Sequence, residues 1–242
     1  MKIMKNIKKI VLFILITMTF GSCAFFKNQH EIARQREKPF TVDMNSTQVP
    51  LGGFEAQFDS AFPMMPLRSA NVNVIYFPVE DAVCFHYRLD TINFYQFWNR
   101  EGRDFYVTAL AKYERDFEAR NLRSTRSGNT KNLYGITDGF LIWQSFGMGV
   151  RARSSIDLEL GYYFRERSPF FAITQGEGNY ENLLGVDENE DMVAGEKPMY
   201  LTRSQAAEIA AFFDFDFLRS KAPVSQFLAP SEQRPPAEFD EY

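Results

Sequence analysis

The chain has 242 residues, 45% hydrophobic and 24% charged, an ordinary globular balance apart from its 25 Phe and 11 Tyr, which point to a thick aromatic core. With the two ends set aside, about 170 residues remain, enough for one well-buried core and not for two. The formal net charge is −4; the first 22 residues hold four lysines and no acid, so without them 23 basic residues face 31 acidic ones, a balance of −8 that repels phosphate backbones and excludes nucleic acid as a partner.

Residues 1–22 have the three parts of a secretory signal. Lys2, Lys5, Lys8 and Lys9 make a positive n-region, and Ile10 to Phe20 is an apolar stretch of 11 residues, short of the roughly 20 that a spanning helix needs. Gly21 and Ser22 are small, and Cys23 follows. The segment Phe20-Gly21-Ser22-Cys23 resembles the lipobox of bacterial lipoproteins: an aliphatic residue, two small residues, then Cys. Phe20 stands where most lipoboxes carry Leu. The resemblance covers about 25 residues. It implies that Cys23 is the lipidated first residue of the mature chain. It also implies an exported protein held to a cell-envelope membrane by lipid, on the periplasmic or the surface side. Two or more acyl chains anchor stably where one holds only reversibly.

If Cys23 carries lipid, Cys84 has no partner for an intramolecular disulfide. It sits in an alternating apolar stretch (Val83, Phe85, Tyr87, Leu89) and reads as an inert, semi-buried thiol; the histidines that could activate it are His30 and His86.

Residues 23–50 read as a tether. Phe54 to Phe62 alternates and predicts a strand, as do Asn71–Phe77 and Ala82–Leu89, with Pro78-Val79-Glu80-Asp81 as a turn. At Asp90 or Thr91 a helix is expected to begin, because Phe94, Phe97, Trp98, Phe105, Leu110, Tyr113 and Phe117 recur at spacings near three and four. Gly102 bends or breaks it into about 91–100 and 103–121. A basic loop with Arg120, Arg123, Arg126 and Lys131 follows, then a strand over Gly139–Phe146. From Val150 to Phe164 the even positions are Val, Ala, Ser, Ile, Leu, Leu, Tyr and Phe, the clearest strand signal in the chain, long enough at about 3.3 Å per residue to bend across a sheet. Phe170–Thr174 returns, Gly176–Pro198 is an acidic loop, and Thr202 or Ser204 caps a short helix over Gln205–Leu218. Four prolines and an acidic end mark residues 221–242 as a disordered tail. The expected fold is a single α+β domain over 51–220: a curved antiparallel sheet of about six strands with one long, interrupted helix and one shorter C-terminal helix.

Candidate chemistry is sparse. Asp187-Glu188-Asn189-Glu190-Asp191 opens like a calcium loop, but Met192 stands where Gly is required and Pro198 where Glu is required, so no metal is expected. Asp157 and Glu159 share a strand face about 7 Å apart, a spacing that suits an inverting glycosidase pair and equally an ion-pair network with Arg151, Arg153 and Arg165. Ser145 lies outside any nucleophile elbow, and Gly147-Met148-Gly149 and Gly176-Glu177-Gly178 lack the strand-to-helix setting of a phosphate loop, so no cofactor is expected. The remaining candidate is a polar and aromatic face of Arg151, Arg153, Tyr163 and Arg165, suited to an envelope glycan or protein partner. The leading expectation is a lipid-anchored lipoprotein with a non-catalytic binding or scaffolding domain. The alternatives are a cell-wall glycan hydrolase using Asp157 and Glu159 and a carrier of a hydrophobic ligand.

Overall fold

The computed structural model describes residues 40–60, 66–123, 132–145, 151–165, 168–178 and 194–222. Its strands are β1 Val49–Phe58, β2 Arg68–Phe77, β3 Ala82–Leu89, β4 Ile92–Trp98, β5 Asn132–Ser145, β6 Arg151–Arg165, β7 Ser168–Gln175 and β8 Lys197–Leu201. The helices are α1 Arg100–Glu118, α2 Arg203–Phe213 and α3 Phe215–Lys221. Each strand pairs antiparallel with the next, and β8 returns to β1 through Gln57↔Tyr200 and Phe58↔Met199, so the sheet closes into an eight-stranded barrel.

The closed barrel corrects the expectation of an open, curved, six-stranded sheet with one long helix. Two strands account for the difference in number. Ile92–Trp98 is not helical: it is β4, joined to β3 by a two-residue turn in which Asp90 takes a left-handed φ of 52°, a conformation Asp tolerates. β8 is a five-residue strand at the end of the stretch read as an acidic loop. The helix that does form after β4 starts at Arg100, where the Asn99 side chain accepts a hydrogen bond from the Gly102 amide at 2.7 Å. Gly102 therefore lies in its first turn and does not break it. The C-terminal helix is two: Thr202 caps α2 with a reciprocal capping box through Gln205, and Asp214 ends α2 and caps α3.

Side chains alternate across the barrel wall as period-two strands require. Phe54, Phe58, Val72, Val74, Phe85, Tyr87, Phe94, Trp98, Leu158, Leu160, Phe171 and Ile173 face inward and are buried. Outward positions include Glu55, Asn71, Asn73, Arg88, Arg153, Asp157 and Glu159, which belong to the opposite parity on the same strands. Apolar inside and polar outside is the reverse of a membrane-spanning barrel, whose outer band is apolar. Among the described residues no helix is long and apolar enough to cross a membrane.

α1 follows β4 and α2 follows β8; in an up-and-down barrel the even strands end at one rim, so both helices gather there. They plug it with aromatic rings. Phe213 of α2 stacks on Phe85 at 5.6 Å and lies 5.4 Å from Trp98, while Tyr106 of α1 meets Trp98, Phe171 and Phe213 edge-on. Such pairs contribute about 0.5–1.5 kcal/mol each beyond the area they bury. The Tyr106 hydroxyl donates to the Ala206 carbonyl at 2.9 Å, and that of Tyr113 to the Pro169 carbonyl at 3.0 Å, so the buried phenols lock helix to helix and helix to barrel. Arg103, 2% exposed, pairs with Asp81 at 2.7 Å and donates to the Asp81 and Trp98 carbonyls, fastening α1 to the β2–β3 turn.

Further down the interior, the Tyr87 hydroxyl bonds the Gln175 Oε1 at 3.2 Å, linking β3 to β7, four strands away around the barrel. The space where a carried hydrophobic ligand would sit is thus lined by packed rings and crossed by this bond.

One stretch of the outer wall is also buried. Phe77, Cys84, Phe97, Phe140 and Ile142 form a second apolar cluster, on which Phe40, Val42 and Met44, at the end of the stretch read as tether, are packed. The Phe40 ring meets Phe140 edge-on at 6.3 Å.

Candidate functional site

β6 supplies the frame of the candidate site. Its outward positions Glu159, Gly161 and Tyr163 lie opposite Thr174, Ala172 and Phe170 of β7, and Ala172 in turn lies opposite Tyr200 of β8. Gly161 and Ala172 make a low floor. Gly161 is required there because β5 approaches closely: a Cβ on it would stand 2.3 Å from the Asn132 carbonyl oxygen. Around that floor lies a groove of about 390 Å³ whose lining includes Asp59, Asn132, Glu159, Tyr163, Thr174, Glu196 and Tyr200.

Its aromatic wall is tightly braced. Tyr163 and Tyr200 lie 5.6 Å apart, and the Arg165 guanidinium stands 5.1 Å from the first ring centre and 4.9 Å from the second. Arg165 forms an ion pair with Asp59 and donates to the Tyr200 hydroxyl at 3.1 Å; that hydroxyl donates in turn to Asp59 Oδ2 at 2.9 Å. Arg165 is not among the residues that line the groove; its contacts with both rings and its ion pair with Asp59 fix their orientation. Burial pushes the Tyr200 phenol above its ordinary value, only partly offset by the Arg165 charge and hydrogen bond. It therefore stays protonated at neutral pH and acts as a hydrogen-bonding group, since a general base needs a pKa near the working pH.

Of the residues singled out in the sequence, Tyr163 and Arg165 come together here. Arg153 lies near the other end of β6, in a separate groove with Thr41, Val42, Asp43, Met44, Phe140 and Ile142. Arg151 begins β6, but its side chain lies outside what is described, as does that of Ser145. Glu159 is in the groove, whereas Asp157 sits opposite Asp138 of β5 and does not line it. Cys23, His30, Arg126, Lys131, Gly147 to Gly149 and the acidic stretch Asp187–Asp191 lie outside the described residues. Among the described residues no three His, Cys, Asp or Glu side chains converge as a metal site would require.

Cys84 is fully buried in the outer apolar cluster, and burial pushes its thiol pKa well up, the opposite of what a nucleophile needs. His86 stacks flat on Tyr95 at 4.4 Å on the outer wall, with its pKa lowered by burial.

Sequence reading missed Asp59, Thr174, Glu196 and Tyr200. The hydrogen bond from Tyr200 to Asp59 spans 141 positions. Nothing local in either stretch signals the other; only closure of the barrel brings them together.

Fold and groove together define a class: an eight-stranded up-and-down barrel, packed inside and carrying an aromatic, polar cleft on its outer wall. The chain belongs to the family described as "Uncharacterised Treponema protein", whose family model matches residues 38–220, from just before Phe40 almost to the end of α3. No curated protein and no solved structure matches it.

Proposed function

We propose that the protein is a lipid-anchored cell-envelope lipoprotein, tethered through Cys23, whose barrel binds an envelope component at the β6–β8 groove and does not transform it. The observation that carries the binding reading is the braced pair Tyr163 and Tyr200, held by Arg165 and Asp59 beside a cleft of about 390 Å³. Pre-organised rings next to polar groups are what binding sites invest in, because ordering them beforehand removes part of the entropic cost of association. The polar outer wall and the packed interior support an aqueous, surface-binding role over carriage inside the barrel. For the anchor, the support is the positive, apolar and small-residue succession ending at Cys23.

Two measurements test this reading. Labelled palmitate should enter the wild type and not Cys23→Ala; incorporation in that variant would refute the lipid anchor. A photo-crosslinking residue at Leu133, which lines the groove and is 45% exposed, should give a discrete adduct with an envelope component in intact cells. The same probe at Val79, exposed on the β2–β3 turn, should not. Equal labelling at the two positions, or none at Leu133, removes the groove as the binding site.

A further inference from the structure

We infer that the β6–β8 groove takes a neutral, polyhydroxylated ligand, a sugar ring of a glycan, and not a cation. The inference rests on the reading of this groove as a binding site and goes on to the chemistry of its occupant.

Tyrosine pairs beside carboxylates recognise two kinds of ligand: cations drawn to the ring faces, and sugars that lay C–H groups on a ring and give hydroxyl protons to acceptors. Here the cation position is already taken. The Arg165 guanidinium lies 5.1 and 4.9 Å from the two ring centres and is not among the residues that line the groove. A second cation on either ring would share the same ring electrons with a guanidinium already in place.

Of the groove's carboxylates, Asp59 is paired with Arg165, and Glu159 and Glu196 are not without partners in the protein. A carboxylate that already has one partner still has lone pairs for a hydroxyl donor, since its two oxygens offer about four acceptor positions.

The shape agrees. Gly161 and Ala172 leave a flat floor between the tyrosines and Thr174 with Glu196, and β5 prevents a side chain from growing on Gly161. A cleft of about 390 Å³ is at the small end of the roughly 300–1,000 Å³ of small-molecule pockets, room for a short saccharide and not for a folded domain. Thr174 adds a hydroxyl that both donates and accepts, while Asn132 borders the floor through its backbone carbonyl and its side-chain amide donates to the Arg123 carbonyl at 3.4 Å.

The test is a titration of isotopically labelled full chain, followed at the Gly161, Ala172 and Thr174 amides. The neutral probes are N,N′-diacetylchitobiose, cellobiose and maltose, and the cationic probe is tetramethylammonium. At least one disaccharide should give saturable shifts. Tyr163→Leu should weaken that binding at least tenfold, and Thr174→Val, which keeps the shape and removes the hydroxyl, several-fold. Both variants should melt as the wild type does; if Tyr163→Leu fails to fold, Thr174→Val decides. Saturable groove shifts with tetramethylammonium and none with the sugars would overturn the assignment, as would sugar binding that neither substitution weakens, or silence with all three sugars. If the Leu133 probe still captures an envelope component in that last case, the groove binds something other than sugar; if it captures nothing, the binding reading falls too.

Discussion

The barrel treats two stretches of its outer wall in opposite ways. Across β2 to β5 the outer wall carries an apolar patch, with Phe77, Cys84, Phe97 and Phe140, and the chain's own Phe40, Val42 and Met44 cover it. Across β6 to β8 the wall is polar and aromatic, and among the described residues it forms a groove. One side is therefore sealed by packing, and the other holds the groove proposed to bind. A substitution on the sealed side should cost folding free energy with little to say about binding, and one on the open side the reverse.

The largest effect tests whether the two sides share one fold. Tyr76 and Tyr113 have phenols pushed up to about 12, chiefly by burial, against about 10 in an unfolded chain. A folded-state pKa above the unfolded one gives stability that is whole below about pH 10 and is lost as pH rises through about 12. Far-UV circular dichroism and Cys84 alkylation should report one transition in that range; groove signals that disappear well before Cys84 becomes reactive would show that the two sides unfold separately.

Next in size is Phe140→Ala, which empties a ring site 1% exposed that touches both Phe97 and Phe40 and should cost about 3–5 kcal/mol in denaturant titration. Phe40→Ala removes a half-buried ring from the cover. It should cost about 1 kcal/mol and make Cys84 measurably faster to alkylate at neutral pH, where the buried thiol of the wild type resists. The smallest stability effect belongs to the open side: Tyr163→Leu should stay within about 1 kcal/mol of wild type by thermal melting. A large loss there would erase the contrast.

The same contrast explains which parts of the fold were legible. β6 was: Val150–Phe164 was expected and Arg151–Arg165 is found, because inside is apolar, outside is wet, and the period of two survives. β4 was not. Phe94 and Trp98 face the interior while Tyr95 and Phe97 face the sealed outer wall, so both sides of the strand are apolar and its rings fall at helical spacings. The cover that stabilises β4 also removed its signature. β8 has only five residues, too few for a pattern. Tyr163 and Arg165 could be read as neighbours because they share one face of one strand. Their partners Asp59 and Tyr200 are the products of closure, which no local period encodes.

That closure has a further consequence. Among the described residues β1 and β8 meet through Gln57↔Tyr200 and Phe58↔Met199, and Asp59 follows directly on that short ladder. Tyr200 and Asp59, two walls of the groove, thus stand on opposite sides of the line where the first and last strands join. A molecule that grips both would act as a clasp on the barrel. Its binding free energy would add to the stability of the closed form through mass action alone, so that occupancy of the groove and integrity of the seam could be measured as one quantity.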